Sequence, residues 1–410
     1  MTGRNNGRKA KNLQYIRNSN RAGVFRLLAL RKMATRTELT RYLGLSKMAI
    51  SNIVNELIDE KLVSELTDNE SEIISADNYT DRASAGRRSQ NLKLHNDRFS
   101  AIGIYVSRDS LQAVAADISG RIHQTWSKPL NFSETTESKT NITTFEQALT
   151  ELATEIKTGL TSKLKHLKII GIGLSSIGPL DVNSGLLLNP PNFHGVEMLD
   201  LGKLISYHFS QPLFIDNDMN AAAWAEHLYG AARGLQHSVY LGLTNGIGAG
   251  IIAYGRVFQG SAGYGGEVGH MCVQMDGPVC HCGRRGCLEA YISLPVLMEK
   301  TGLSSPDELL SRACEADYKL LWQPEYIEAL KTGLINIVNI FDPDIVLLGH
   351  DGAALTRDFL PELEQSVNDG IFQKRARAVK LTLADFKDQA PLIGSAALVF
   401  QAVFRGDLQP

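Results

Sequence analysis

Residues 22–60 place apolar side chains at helical spacing between short polar breaks. Phe25, Leu27, Leu28 and Leu30 give a first helix its apolar side. In TRTELTRYLG, Thr35 or Thr37 offers a cap, Leu39, Tyr42 and Leu43 are the apolar positions, and Gly44 ends the turn. In LSKMAISNIVNELIDEKLV, Ser46 caps a helix whose stripe is Ile50, Ile53, Val54, Leu57 and Ile58. KLVSEL and SQNLKLH follow as two short strands of a wing, with Gly86-Arg87-Arg88 at its tip or base. The polar, acidic TDNESEIISADNYTDRASA lies between them. The pattern predicts a winged helix-turn-helix over about 12–95, preceded by a basic flexible tail at 1–11.

From Ser100 the period changes to short apolar runs, each ending in a Gly, Asn or Asp loop, with helical stretches between them. AIGIYVSRDSLQAVAADISGRI reads as a β-hairpin, and LKIIGIGLSSIGPLD, PLFIDNDMNAAAWAEHLYG, SVYLGLTNGIGAGIIAYGRVFQG and PDIVLLGHDGAAL continue an α/β body. In such sheets the loops at the carboxyl ends of strands make ligand sites. Here those loops hold Gly178-Pro179, Asn217-Asp218 and Gly246/Gly248/Gly250. The glycine run by itself is weak evidence, because tight turns use glycine as readily as phosphate sites do.

Charge divides the chain where the period does. Residues 1–61 hold 13 Lys+Arg against 4 Asp+Glu, a balance of +9. The whole chain is 42 − 44 = −2, which leaves 29 − 40 = −11 for residues 62–410. A basic head on an acidic body points to nucleic acid as the partner of the head. Polar faces of amphipathic helices are usually just solvated. The short helix–Gly–helix spacing, the local positive charge and the wing favour DNA binding instead. The candidate contacts are Thr37, Ser46, Lys47, Met48, Ser51, Asn52 and Asn55, with Arg87 and Arg88 from the wing. No run of about 18 apolar residues and no signal-type N-terminus is present, so the expected compartment is the cytoplasm and no membrane partner is expected.

Three of the five cysteines fall within eight positions, CHCGRRGC. Cys280-x-Cys282-x4-Cys287 and His270, ten residues upstream, make one imidazole and three thiolates, a closed structural zinc set. His281 is an alternative ligand, disfavoured by its place between two ligating cysteines. Cys272 reads as a buried apolar residue. The spacing is neither a disulfide framework nor a redox Cys-x-x-Cys.

These stretches carry a resemblance. IDNDMNAAAWAE, GYGGEVGHMCVQMDGPVCHCGRRGCLEAY, GPLDVNSGLLLNPPN and TNGIGAGII are similar to the ROK family of repressors, open reading frames and kinases, from about residue 100 to the C-terminus. The resemblance implies a two-lobed, actin-like (ribonuclease-H-like) sugar-kinase fold, with a first lobe over 98–215 plus 388–410 and a second over 216–387. It implies one structural Zn²⁺ per chain on His270, Cys280, Cys282 and Cys287. It also implies a sugar held by Gly178, Asn192, Asn217, Asp218, Glu267, His270 and Glu289. In family kinases the residue matching Asp218 is the general base, and here we expect it to be vestigial. The head places the chain with the family's repressors, such as those for xylose and N-acetylglucosamine.

Departures from the kinase pattern decide the expected activity. Family kinases carry Asp-x-Gly-Gly-Thr between the first two strands, where this chain has YVSRDS, Tyr105 to Ser110. The second phosphate loop reads Thr244-Asn245-Gly246, and LLGHDGAA inserts His350 and Asp351 between Gly349 and Gly352. We therefore expect a non-enzymatic regulator that binds operator DNA as a homodimer or homotetramer and responds to a small sugar or sugar phosphate. An active ATP-dependent sugar kinase with a DNA-binding head is the alternative, and a ligand-independent DNA-binding scaffold is a third reading.

Overall fold

The computed structural model describes residues 4–66, 90–132, 138–190, 193, 195–313 and 315–409. Cys314 and the wing residues Arg87 and Arg88 lie outside them, as does the sugar-contact candidate Asn192.

The head contains α1 (Arg4–Arg31), β1 (Ala34–Thr35), α2 (Arg36–Leu43), α3 (Lys47–Asp59), β2 (Val63–Glu65) and β3 (Asn91–Leu94). Residues 4–11, expected as a flexible tail, are instead the first turns of α1. The run Arg4–Lys11 has no proline, and Arg8, Lys9, Ala10 and Lys11 are good helix formers that offset Asn5, Asn6 and Gly7. Thr35 is the cap of α2: its side chain accepts from the Glu38 N–H (3.2 Å) while Glu38 Oε2 accepts from the Thr35 N–H (2.8 Å), a reciprocal capping box. Gly44 ends the helix at φ 65°, where a side chain would be strained. Ile50, Ile53, Val54 and Leu57 of α3 are buried as the stripe requires. β2 and β3 pair antiparallel, Val63 opposite Leu94, and β1 adds a third strand on the far side of β3.

The first lobe is built from β4 (Ser100–Val106), β5 (Ser110–Asp117), β6 (Ile122–Pro129), α4 (Ser138–Thr161), β7 (Ile169–Ser176), β8 (Leu180–Asp181), β9 (Leu186–Leu188), β10 (Met198–Asp200), α5 (Leu201–His208) and β11 (Leu213–Asn217). Next come α6 (Asp218–Tyr229), β12 (Ser238–Leu243), β13 (Ile247–Ala253), β14 (Arg256–Val257), α7 (Glu289–Ile292), α8 (Leu294–Thr301), α9 (Pro306–Arg312), α10 (Ala316–Phe341), β15 (Ile345–Gly349), α11 (Leu360–Gly370), β16 (Lys380–Leu383) and α12 (Ala390–Arg405). The two main sheets run β11-β7-β4-β5-β6 and β16-β15-β12-β13-β14. Both follow one plan: an antiparallel meander of three strands, with two more added parallel to its first strand.

Between the sheets lie α6 and α12, packed on each other, and glycines set how closely they approach. A Cβ on Gly173 of β7 would lie 1.7 Å from the Ser395 carbonyl oxygen of α12, and one on Gly250 of β13 would lie 2.1 Å from the Met219 carbonyl oxygen of α6. Gly248 and Gly250 are therefore helix-packing residues, which is why the glycine run alone could not specify a phosphate site.

The head is not a detached bead. Phe25 of α1 stacks edge-on against Phe99 with ring centroids 5.2 Å apart, inside an apolar cluster shared with β4 and α12. On the other side of α1, Leu30 packs against the second-lobe cluster, Arg233 donates to the Leu30 carbonyl, and Arg26 donates to the Gly255 carbonyl at 3.4 Å.

Candidate functional site

The parallel strands of the first lobe end in register: Val106 of β4 pairs with Ser176 of β7, which pairs with Asn217 of β11. This edge places the exposed Gly178, two residues past β7, beside the start of α6. The peptide bond from Gly178 to Pro179 is cis. Asn217 is the N-cap of α6; its Oδ1 accepts from the Asn220 N–H (2.7 Å), so its amide NH₂ is the group left for a ligand. Asp218, the first residue of the helix, is 8% exposed and accepts from the Met219 N–H (2.9 Å). Desolvation pushes its carboxyl up to about 6, opposed by the neighbouring His350 and by that backbone hydrogen bond. A carboxylate so placed is a strong hydrogen-bond acceptor.

Asp216, which the sequence reading does not single out, is buried at the end of β11. Asp216 accepts from Asn220 Nδ2 (2.8 Å) and from Gln259 Nε2 (2.7 Å), so a second-lobe side chain braces the first-lobe strand that presents Asn217.

Opposite lies the loop from residue 258 to 288. His270, Cys280, Cys282 and Cys287 bring their ligand atoms within 4.8 Å of one another. Cys280 Sγ is 3.7 Å from His270 Nδ1, and Cys282 Sγ is 3.7 Å from Cys287 Sγ. Ligands on a tetrahedral ion with bonds of about 2.3 Å are separated by about 3.8 Å, so the clustering of the four residues suits a small dication. Burial pushes the Cys287 thiol up to about 12 and raises Cys280 as well, so both need a counter-charge to exist as thiolates. Three sulfurs and one nitrogen suit zinc among the available dications. Cys272, expected to be buried, is exposed: its backbone pairs antiparallel with that of Cys287 at the rim of this loop, and both thiols are free.

The same loop brings two carboxylates to the cleft. Glu267 precedes the short turn Val268–His270; desolvation raises its pKa, the His270 ring opposes that, and the Glu289 carboxylate adds to it. Glu289 opens α7 and is buried. Its Oε2 accepts from the Ile247 N–H (2.8 Å), and its Oε1 lies 2.9 Å from His281 Nδ1. A Cβ on Gly246 would lie 3.1 Å from Oε2, so a larger residue there would crowd the carboxylate. His281, weighed above as an alternative ligand, thus faces Glu289.

At the position of the kinase phosphate loop, the β4–β5 turn is closed on itself. The Ser107 N–H donates to the Ser110 carbonyl (3.0 Å), and the Ser110 N–H donates to Ser107 Oγ (3.1 Å). Arg108 stands half-buried in the turn, its guanidinium desolvated. His350, at φ 65°, accepts from the Asp351 N–H through Nδ1 (3.0 Å) and faces Asp218.

In the head, Thr37, Lys47, Met48 and Asn52 are exposed, and Ser51 is half-buried. Ser46 spends its oxygen capping α3, accepting from the Ala49 N–H (3.2 Å). Asn55 accepts from Arg36 Nη2 (3.0 Å), and Arg36 also pairs with Glu65 of β2 (2.9 Å). Arg36 escaped pattern reading because its place beside α3 depends on how α2 packs.

Comparison with known proteins adds whole-chain similarity. The ROK family model matches residues 102–402. A xylose repressor of Caldicellulosiruptor bescii is 27% identical over 94% of this chain and 96% of its own length. The dual regulator NagC of Escherichia coli is 27% identical over 97% and 96%. A crystal structure of a ROK family transcriptional regulator, a homolog of the E. coli Mlc protein, superposes with TM-score 0.75 at 25% identity, covering 96% of this chain and 98% of that one. A ROK hexokinase from Thermus thermophilus gives TM-score 0.61 at 28% identity over 74% of this chain and 99% of the enzyme. The chain belongs to the ROK family, and over nearly its full length it is similar to that family's transcriptional regulators.

Proposed function

We propose that this chain is a sugar-responsive repressor, in which a sugar bound between the lobes releases operator DNA from the head. The observation that carries this reading is the double attachment of α1. The helix is packed on the first lobe through Phe25 and tied to the second through Arg26 and Arg233. A ligand that changes how the lobes meet therefore acts on the spacing of the recognition helices. The sugar shifts DNA affinity only by its differential affinity for the two arrangements.

In this reading Asn217, Asp218, Glu267, His270 and Glu289 hold the hydroxyls, with Gly178 in a loop over the sugar and Asn192, outside the described residues, as a further candidate contact. His270, Cys280, Cys282 and Cys287 would hold a zinc ion, which would fix the His270 ring, since Nδ1 faces the thiols and leaves Nε2 for the ligand. Phosphoryl transfer is not part of the reading. The turn that would cradle nucleotide phosphates uses its Ser107 and Ser110 N–H groups internally. Operators with two-fold symmetry call for paired heads, so the working form is a homodimer or a dimer of dimers.

The head is tested by DNA binding. Lys47→Ala is expected to weaken binding to all sequences alike and to lower the slope of log affinity against log salt by about one. Asn52→Ala is expected to relax sequence choice at one position, by about 1–3 kcal/mol of discrimination. Titrations of operator and scrambled duplexes at several salt concentrations separate the two effects. Wild-type behaviour in both variants would refute the docking face.

A further inference from the structure

Glu289 is held at both oxygens, by a backbone N–H from the start of β13 and by a histidine from the cysteine loop. The histidine, His281, lies outside the set of one imidazole and three thiols, although with His270 and Glu289 it also forms a second trio close enough to hold an ion. His281 is flanked by Cys280 and Cys282, both in the cluster of one imidazole and three thiols, so a metal ion on its neighbours would fix the backbone from which its ring projects. Its Nδ1 is 2.9 Å from Glu289 Oε1, whereas Nδ1 to Cys280 Sγ is 3.8 Å. The ring is half-exposed and stands edge-on to His270, centroids 5.3 Å apart.

We propose that His281 is a positioning residue for the sugar site: it holds the Glu289 carboxylate against rotation, and so carries the order of the metal loop into sugar affinity by a route separate from His270. With Nδ1 carrying the hydrogen, His281 occupies one lone pair of Glu289 Oε1 and the Ile247 N–H occupies one of Oε2. The carboxylate plane is then defined, and the remaining lone pairs are presented to adjacent hydroxyls of a neutral ring. Without His281 the carboxylate is held at Oε2 alone and its outer oxygen swings freely. The ligand class served is a polyol with vicinal hydroxyls, which needs both oxygens of one carboxylate at fixed positions. The inference rests on the sugar-binding reading above.

The test is calorimetric titration of xylose, glucose and N-acetylglucosamine into wild-type protein, His281→Ala, His281→Gln, Glu289→Gln and the double variant His281→Ala/Glu289→Gln, with zinc measured on each sample. For the sugar that wild type binds, His281→Ala is expected to lose about tenfold in affinity, the size of one hydrogen bond to a charged group. It keeps one metal per chain. His281→Gln, whose amide can donate to the same oxygen, recovers most of the loss. In the Glu289→Gln background the same His281→Ala change has little further effect. Wild-type affinity in His281→Ala, or an undiminished loss in the Glu289→Gln background, overturns the proposal. Loss of metal from His281→Ala together with His281→Gln also overturns it, because His281 would then act on the metal loop rather than on Glu289. If wild type binds none of the sugars, the sugar reading itself fails and this inference falls with it.

Discussion

Asp218→Asn is expected to make the ligand-free protein more stable while abolishing its response to sugar. Burial lifts the Asp218 carboxyl from the ordinary 3.8 to about 6, so the folded state prefers the protonated form. That preference is fully present below the unfolded value and is lost as pH rises through the folded one. Near pH 7.5 the ionised group therefore destabilises the fold by about 2–3 kcal/mol. Asparagine keeps an oxygen for the Met219 N–H but carries no charge to desolvate. The denaturation midpoint of the variant should rise at pH 7.5, and the gain should shrink towards zero near pH 4. Sugar affinity should fall roughly a hundredfold, since hydroxyl donors lose a charged acceptor at the centre of the site. A variant no more stable than wild type at pH 7.5 would show that Asp218 is already neutralised by a partner in the resting protein.

Removing the metal is expected to have a larger and less local effect. Residues 258–288 contain no long strand or helix, and much of the segment from Cys272 to Arg285 is exposed. Antiparallel backbone pairing of Cys272 with Cys287 and of Val279 with Arg285, a few turn hydrogen bonds and the four clustered ligands close it. Structural zinc sites contribute on the order of 10 kcal/mol to the segments they organise. Protein purified without chelators should contain about one zinc per chain. Cys282→Ser should lose the metal, loosen Glu267, His270 and Glu289 together, and so lose sugar binding by more than any single contact variant. It should retain operator binding, because the head packs on β4, α12 and the β13–β14 turn rather than on this loop. Elemental analysis and chelator titration read the first outcome, and melting curves the second. Metal-free protein with an unchanged melting curve and intact sugar binding would contradict the role assigned to the site.

Much of this was legible in the chain because it is local. Caps at Thr35 and Ser46, the stripe on α3 and the spacing Cys280-x-Cys282-x4-Cys287 are written within one or two turns of backbone. What escaped depends on residues far apart in sequence. Gln259 reaching Asp216, Ile247 and His281 converging on Glu289, and Arg36 beside Asn55 become neighbours only once helices and sheets have packed. The run Gly246/Gly248/Gly250 is ambiguous for a related reason. A glycine needed to admit a helix and a glycine needed to admit a ligand look alike in sequence, and here Gly248 and Gly250 admit α6 while Gly246 lies against Glu289. Exposed Cys272 and helical residues 4–11 differ from expectation because residue type alone does not determine what covers a side chain or where a helix stops.

The central claim is that one ligand-dependent change in the lobes is felt by the DNA-binding head. Operator DNA titrated with and without a sugar shown by calorimetry to bind tests it most directly. The account predicts that the sugar weakens operator binding by a factor of about 5–150, and that operator DNA weakens sugar binding by the same factor. A sugar that binds measurably and leaves operator affinity unchanged would contradict it.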